Sequence, residues 1–382
     1  MSSASTSTSK LYSFGCAIDG KLANGRIDGY EAYPYHIEQV DGHSKFNYIG
    51  CGHYHSMFIS NDSKLYSWGW TSFVGGEKGK KETNYKATYP TRVDNNDNDL
   101  LVKSVAGGRR HTLIVDTQGQ LYSFGVGSEY QLGHGDKLHQ VTPTKVTALN
   151  GVNIVKAVCG WGHSMALSSN GEVYVWGWAK DGQLGLGGRQ SDDLAPVTLP
   201  VVLDQLRQHR IVDIYAGSDY SMALTDRGEL LSWGSGEFGQ LGHGDNQHQY
   251  RPKMIDGLTI TTKDSTRRVS CGFSHTLIID DNGALVSFGW NGSGQLGLGD
   301  TDNRYTPTSL PPDNHFGNDT LVQVAAGRAH SAALTKSGHL YTWGSMAKGK
   351  LVEEFSEDNN LESEEIAEQV ACGFDHTLVM IK

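Results

Sequence analysis

The sequence predicts an all-β fold, a seven-bladed β-propeller whose last blade is closed by N- and C-terminal strands together. Three observations carry that prediction. First, a short strand ending in an aromatic residue and a glycine recurs seven times: LYSFG (11–15), LYSWG (65–69), LYSFG (121–125), VYVWG (173–177), LLSWG (230–234), LVSFG (285–289) and LYTWG (340–344). Second, a small residue, a glycine, two variable residues and then His or Tyr before Ser or Thr also recur seven times. These copies are CGHYHS (51–56), GGRRHT (107–112), CGWGHS (159–164), AGSDYS (216–221), CGFSHT (271–276), AGRAHS (326–331) and CGFDHT (372–377). Third, the chain stops after the first strand of a hairpin, His376 to Ile381, and begins with the partner of that strand, Lys10 to Gly15. Six complete units and two halves make seven, and pairing the halves removes the edges an open array would expose.

Each element follows from local pattern. Successive copies of the second signature start 56, 52, 57, 55, 55 and 46 residues apart, room for several strands per unit and too long for the shorter helical repeats. An apolar run such as HTLIVD leads to a turn such as Thr117-Gln118-Gly119-Gln120 and on into the aromatic-glycine strand, which is a hairpin. A glycine-rich turn follows, then a segment such as Thr142-Pro143-Thr144-Lys145-Val146, whose proline suits an outermost strand that needs no second ladder. Residues 1–9 are expected to be a disordered tail and 10–382 one propeller domain. An irregular acidic insertion is expected at 351–370, where seven Glu and one Asp stand without Lys or Arg.

Composition excludes several classes. Forty-eight glycines against nine prolines, with 19% charged residues, is a turn-rich β composition. The net charge of −10 lacks the basic footprint of a nucleic-acid binder. Five cysteines with no CxxC pair argue against disulfide scaffolds and zinc ribbons. MSSASTSTSK is not a secretion signal and no run approaches a membrane span, so an intracellular location, cytoplasmic and/or nuclear, is expected and no membrane partner. The stretch GSGEFGQLGHG (234–244) has the spacing of a dinucleotide loop, but its further glycines stand where a helix should start, and Gly292 to Gly297 repeats the spacing in the same place. It is a blade turn, and no cofactor is expected. There is no nucleophile elbow, Walker loop or HExxH, so no covalent chemistry and no catalytic or metal-ligating residue is assigned.

The two signatures, joined by GQLG (182–185, 239–242, 294–297) and YQLG (130–133), resemble the regulator of chromosome condensation repeat from Lys10 to Lys382. The turn departs from this pattern at Asp19-Gly20-Lys21-Leu22, at Val74-Gly75-Gly76-Glu77 and at Lys348-Gly349-Lys350-Leu351. That family includes the exchange factor for the GTPase Ran, a plant UV-B photoreceptor, and propellers attached to ubiquitin ligases and kinases. The resemblance implies fold, while function must be argued from the site.

One histidine per blade, about 50 residues apart, does not converge on a metal; these side chains are read as half-buried imidazoles bonded to neighbouring backbone. The Trp or Phe of the first signature is read as packing between blades, whereas Trp70, Trp178 and Trp290 either pack there or line the channel. The variable pair inside the second signature breaks the repeating frame, and partner specificity can be written on such positions. By the geometry of the fold these pairs share the face around the channel mouth. The candidate partner-binding residues there are His53, Tyr54, Arg109, Arg110, Trp161, Asp219, Phe273, Arg328, Phe374 and Asp375. The resemblance implies that a photoreceptor carries tryptophans at this position in consecutive blades. Here only Trp161 does, which disfavours UV-B sensing. It implies too that the exchange factor uses an acidic residue in such a turn, a type that Asp219 and Asp375 match, together with a wedge and a basic tail not evident here. The expected partner is a protein, with a small GTPase as the leading specific choice and a guanine nucleotide exchange factor-like activity. The alternative is an interaction scaffold without exchange.

Overall fold

A computed structural model of the chain describes residues 9–38, 45–70, 86–95, 100–188, 195–310, 316–317, 319–345 and 366–382. Its strands form seven antiparallel sheets arranged as the blades of a ring. The innermost strand of each sheet leads through the variable turn into the second strand, and the aromatic-glycine strand is third. In blade 3, for example, β11 (Ile154–Cys159), β12 (His163–Ser168), β13 (Val173–Gly177) and β14 (Val197–Val202) lie in that order from axis to rim. In blade 6, β23 (Leu321–Ala326), β24 (His330–Thr335) and β25 (Leu340–Gly344) make three described strands.

The closing blade is built from both ends, as the terminal half-signatures predict. It has the order β2-β1-β27-β26, where β1 is Lys10–Cys16, β2 Tyr30–His36, β26 Ala367–Cys372 and β27 His376–Ile381. Lys10 lies opposite Ile381 and Gly15 opposite His376, a register without slip. Of the acidic segment, residues 351–365 lie outside the described residues, while Ala367 to Val370 already belongs to β26. Residues 1–8 also lie outside them.

The core lies between blades. Trp68, Trp176, Trp233 and Trp343 with Phe14, Phe124 and Phe288 are the seven aromatic residues of the first signature, and each is at most 1% exposed. Trp233, for instance, packs in one cluster with Met165, Val175 and Leu184 of the preceding blade. Alternation along the strand turns the Ser of LYSWG-type strands toward the following loop. Ser13, Ser123, Ser232 and Ser287 each donate to the carbonyl of a leucine nine residues on, at 2.6–2.8 Å. That leucine is the third residue of GQLG, so the strand itself fixes the loop. The loop reverses direction through residues of positive φ, and where the motif reads YQLG, Tyr130 holds this backbone at φ 62° without a glycine.

Candidate functional site at the channel mouth

The histidines of the second signature build the frame on which the site rests. All six are at most 1% exposed, more deeply buried than the sequence reading has them, and their main partner is a side chain of the next blade, not backbone. Nε2 meets a hydroxyl in every case: His55 with Thr112, His111 with Ser164, His163 with Ser221, His275 with Ser331, His330 with Thr377, and His376 with Ser56, at 2.8–3.1 Å. Tyr220 completes the circle, its longer ring carrying the hydroxyl to the His275 carbonyl at 2.7 Å. Where the hydroxyl is Ser56, Ser164, Ser221 or Ser331, it also donates to a carbonyl of the preceding loop, that of Lys21, Gln131, Gln183 or Gln295. A hydroxyl has one proton to give, so in those four pairs the imidazole must be the donor and carries its proton on Nε2. Burial holds His55, His111, His163 and His275 down at about 3, so these rings are neutral near pH 7.

Above this circuit the seven signature glycines close the mouth. A Cβ on Gly52, Gly108, Gly160, Gly272, Gly327 or Gly373 would stand 2.5–2.8 Å from the carbonyl oxygen of the next glycine around the ring, closer than real Cβ atoms approach. The backbone can come this near only without a side chain. The two variable residues after each glycine are thereby forced outward onto one face. The residue after each aromatic-glycine pair joins them: Cys16, Trp70, Val126, Trp178, Ser235, Trp290 and Ser345 each donate a backbone N–H to the carbonyl of the second variable residue, at 2.7–3.0 Å. Trp70, Trp178 and Trp290 are therefore on the mouth face, which neither of the two sequence-based alternatives gives them.

The structure brings the sequence-selected residues together. The His53 ring stacks on Phe374 at 4.8 Å and meets Trp161 edge-on at 5.8 Å; Trp161 touches Phe273 at 5.7 Å, and Phe273 returns to Phe374 at 5.6 Å. Residues of four blades thus make a closed aromatic circle over the axis. Tyr54 stands beside it, against Phe374 and Trp70. The Arg109 guanidinium lies 4.0 Å over Trp161, Arg110 5.6 Å over Trp70 and Arg328 4.8 Å over Phe374, which is cation–π geometry. Arg328 also pairs with Asp375 at 2.9 Å. Asp219 is in the same ring of turns, and burial, then the nearby Asp181, push its carboxyl up to about 6 against the pull of Arg109. Beneath the circle lies a neck of about 170 Å³, and below that a chamber of about 510 Å³ lined in part by Lys156, Arg267 and Gln323.

One residue of the site is not picked out by the variable pairs. Lys21 occupies the Gln position of the loop motif: its carbonyl receives Ser56 and the Trp68 indole, as the Gln131 carbonyl receives Ser164 and Trp176. It is 2% exposed, and its ammonium lies 6.0 Å from the centre of the Tyr54 ring. The signal was in the sequence, in DGKL replacing GQLG, but the depth of the side chain was not. Among the described residues no group of His, Cys, Asp and Glu is arranged to hold a metal ion.

The repeat frame now has its counterpart among known proteins. The family model for the Regulator of chromosome condensation (RCC1) repeat matches residues 9–59, 118–167, 170–224, 227–279 and 282–334. The chain belongs to the RCC1 repeat family. Within that family it is 32% identical over 343 residues to the ultraviolet-B receptor UVR8 of Arabidopsis thaliana, covering 87% of this chain and 74% of the receptor. It is 37% identical over 242 residues to the E3 ubiquitin-protein ligase HERC2 of Homo sapiens, covering 62% of this chain but 5% of that ligase. Among solved structures, yeast RCC1 (Prp20) bound to Kap60 superposes with a TM-score of 0.80 at 21% identity, covering 99% of this chain and 89% of that one. Human WBSCR16 superposes with 0.78 at 22% identity, covering 98% and 99%. At these identities the two structures establish the shared RCC1-type propeller and nothing finer.

Proposed function

We propose that this chain is a protein-binding propeller whose glycine-ringed mouth docks a partner, and that its specific activity is guanine nucleotide exchange on a small GTPase. One observation carries the docking reading. The frame repeats blade after blade, while the residues it projects at the mouth are an unrepeated set of aromatics and arginines, the residue types that dominate binding energy at protein interfaces. Exchange needs no covalent step: a factor that binds the nucleotide-free GTPase more tightly than the loaded form shifts the population toward release. Asp219 would act by repelling the bound phosphates and Arg109 and Arg110 by holding acidic surface, while Arg328 and Asp375, paired with each other, would serve only where a partner parts them. Support for a protein partner comes from the solved structure of Prp20p of Saccharomyces cerevisiae, described together with its binding to Gsp1p and histones.

The test is release of a fluorescent guanine nucleotide from Ran and a panel of other small GTPases at micromolar propeller. Acceleration of at least tenfold for one of them, reduced by Asp219→Ala, is expected; no acceleration for any would leave the scaffold reading. Relatives as different as a photoreceptor and a ubiquitin ligase favour keeping that second reading. Under it, affinity purification with wild type and with Arg109→Ala still recovers different partners.

A further inference from the structure

Three cations stand at the mouth outside any ion pair, although Asp219 lies within the field of one of them, Arg109. Lys21, Arg109 and Arg110 make no ion pair among the described residues, in a protein of net charge −10. Nε of Arg109, Nε of Arg110 and the hydroxyl of Ser218 are all buried without a hydrogen-bond partner. Buried donors are nearly always satisfied, so several orphans on one face call for an explanation. His53 lies within the field of both Arg109 and Lys21, and Arg110 stacks over Trp70, which packs on the same Tyr54 ring that faces Lys21.

Lys21 sharpens the argument, because its own loop has no use for an ammonium. In the four blades whose loop carries Gln, its side chain accepts a backbone N–H two residues earlier: Gln131 from Glu129, Gln183 from Asp181, Gln240 from Phe238 and Gln295 from Ser293, at 2.8–2.9 Å. A lysine cannot accept, and the equivalent Asp19 N–H turns to the Ile27 carbonyl instead. The substitution loses a loop contact and buries a charge whose contact in the described residues is the face of Tyr54. What it gains is positive potential under the aromatic circle.

We infer that the mouth is built to receive one acidic side chain, an Asp or Glu of a protein partner, between Arg109, Arg110 and Lys21 with the Ser218 hydroxyl as a further donor. This rests on the docking reading above and names the chemistry of its partner. Apolar neighbours of that carboxylate would lie on Phe273, Phe374 and Trp161. A polyanion such as a nucleic acid fits poorly, because Asp219 and Asp375 stand in the same ring of turns and repel charge spread over the face.

The experiment uses the full chain and immobilised random decapeptides, followed by affinities of selected fluorescein-labelled peptides. Enrichment of Asp or Glu at one position, with apolar residues beside it, is expected. Changing that residue to Asn or Gln should weaken binding at least tenfold, as should Lys21→Gln and Arg109→Gln. Lys21→Gln restores the residue the repeat uses, so it should raise the melting temperature while weakening the peptide. Selected peptides without an acidic preference, or affinities within twofold for both variants, would overturn the inference while leaving docking itself intact. So would inorganic phosphate binding with the same variant sensitivity when no acidic peptide binds. Absence of any selected peptide whose binding responds to Phe374→Ala would count against the docking reading instead.

Discussion

At the scale of single residues, the buried histidines make the fold acid-sensitive with a definite sign. Burial holds four of them at about 3 and His330 at about 4, and it is the main cause that carries His376 well below its usual value. The unfolded chain takes up these protons near pH 6.5, so their contribution is complete above that pH and is lost as the pH falls toward 3. Each imidazole removes about 1.4 kcal/mol per pH unit inside that window. Urea midpoints should therefore be flat from pH 8 to 7 and drop steeply below 6; a flat profile to pH 5 would contradict the buried neutral rings. Cutting one link, Ser221→Ala, orphans the Nε2 proton of His163 and should cost about 1–3 kcal/mol in chemical denaturation. Asp219 has the opposite linkage, since its folded proton affinity exceeds the unfolded one and its charge is a penalty above pH 6. Asp219→Asn is expected to stabilise by about 1–3 kcal/mol at pH 7.5, with the gain vanishing below pH 4 in paired denaturation curves. The sequence made the variable pairs legible because they interrupt a repeated frame. It did not reveal that a hydroxyl one residue after each signature His or Tyr meets the ring side chain of the previous blade, because both partners repeat and the pairing crosses about 50 residues, or 320 where the ring closes.

At the scale of elements, one clamp binds three blades at the end of the channel away from the glycines. The short helix α1 (Ser265–Arg268) precedes the innermost strand of blade 5, and Asp213 of β15 (Ile211–Ala216) accepts from Ser265 at 2.7 Å and Thr266 at 3.0 Å. Tyr215 donates to the same carboxylate at 3.0 Å, and Lys156 of β11 pairs with it. Burial tends to raise the Asp213 carboxyl, but the Lys156 charge and the hydrogen bonds from Lys156, Ser265 and Tyr215 outweigh it and leave it below its ordinary value. Asp213→Ala leaves a half-buried ammonium and four donors, the hydroxyls of Tyr215, Ser265 and Thr266 and the Ile214 N–H, without this acceptor, and should cost about 3–5 kcal/mol, read as a lower melting temperature. This clamp was not legible in the sequence: Asp213, Lys156 and Ser265 fall outside both signatures and are brought together only by the ring. The strands were, because their period-two pattern and flanking glycines recur in register.

For the whole molecule, closure is the decisive event, and the complementary ends of the sequence announce it. Removing residues 376–382 strips β27 from between β1 and β26, exposing two strand edges and the cluster that joins Leu378 and Met380 to Phe58. Such a truncation should lose cooperative unfolding. A circular permutant that links Lys382 to Ser9 and opens the exposed Asn150-Gly151 turn should keep its melting temperature within a few degrees, because it preserves every strand pair. Calorimetry of the two proteins separates closure from mere chain length. The same topology sets a schedule for synthesis. Of the described strands of the ring, β1 is synthesised before the rest, yet its neighbour β27 follows roughly 360 residues later, an interval of about 20–70 s at ordinary elongation rates. For that time the first strand has one edge with no permanent partner, which makes the nascent chain, more than the finished ring, the species in need of a chaperone.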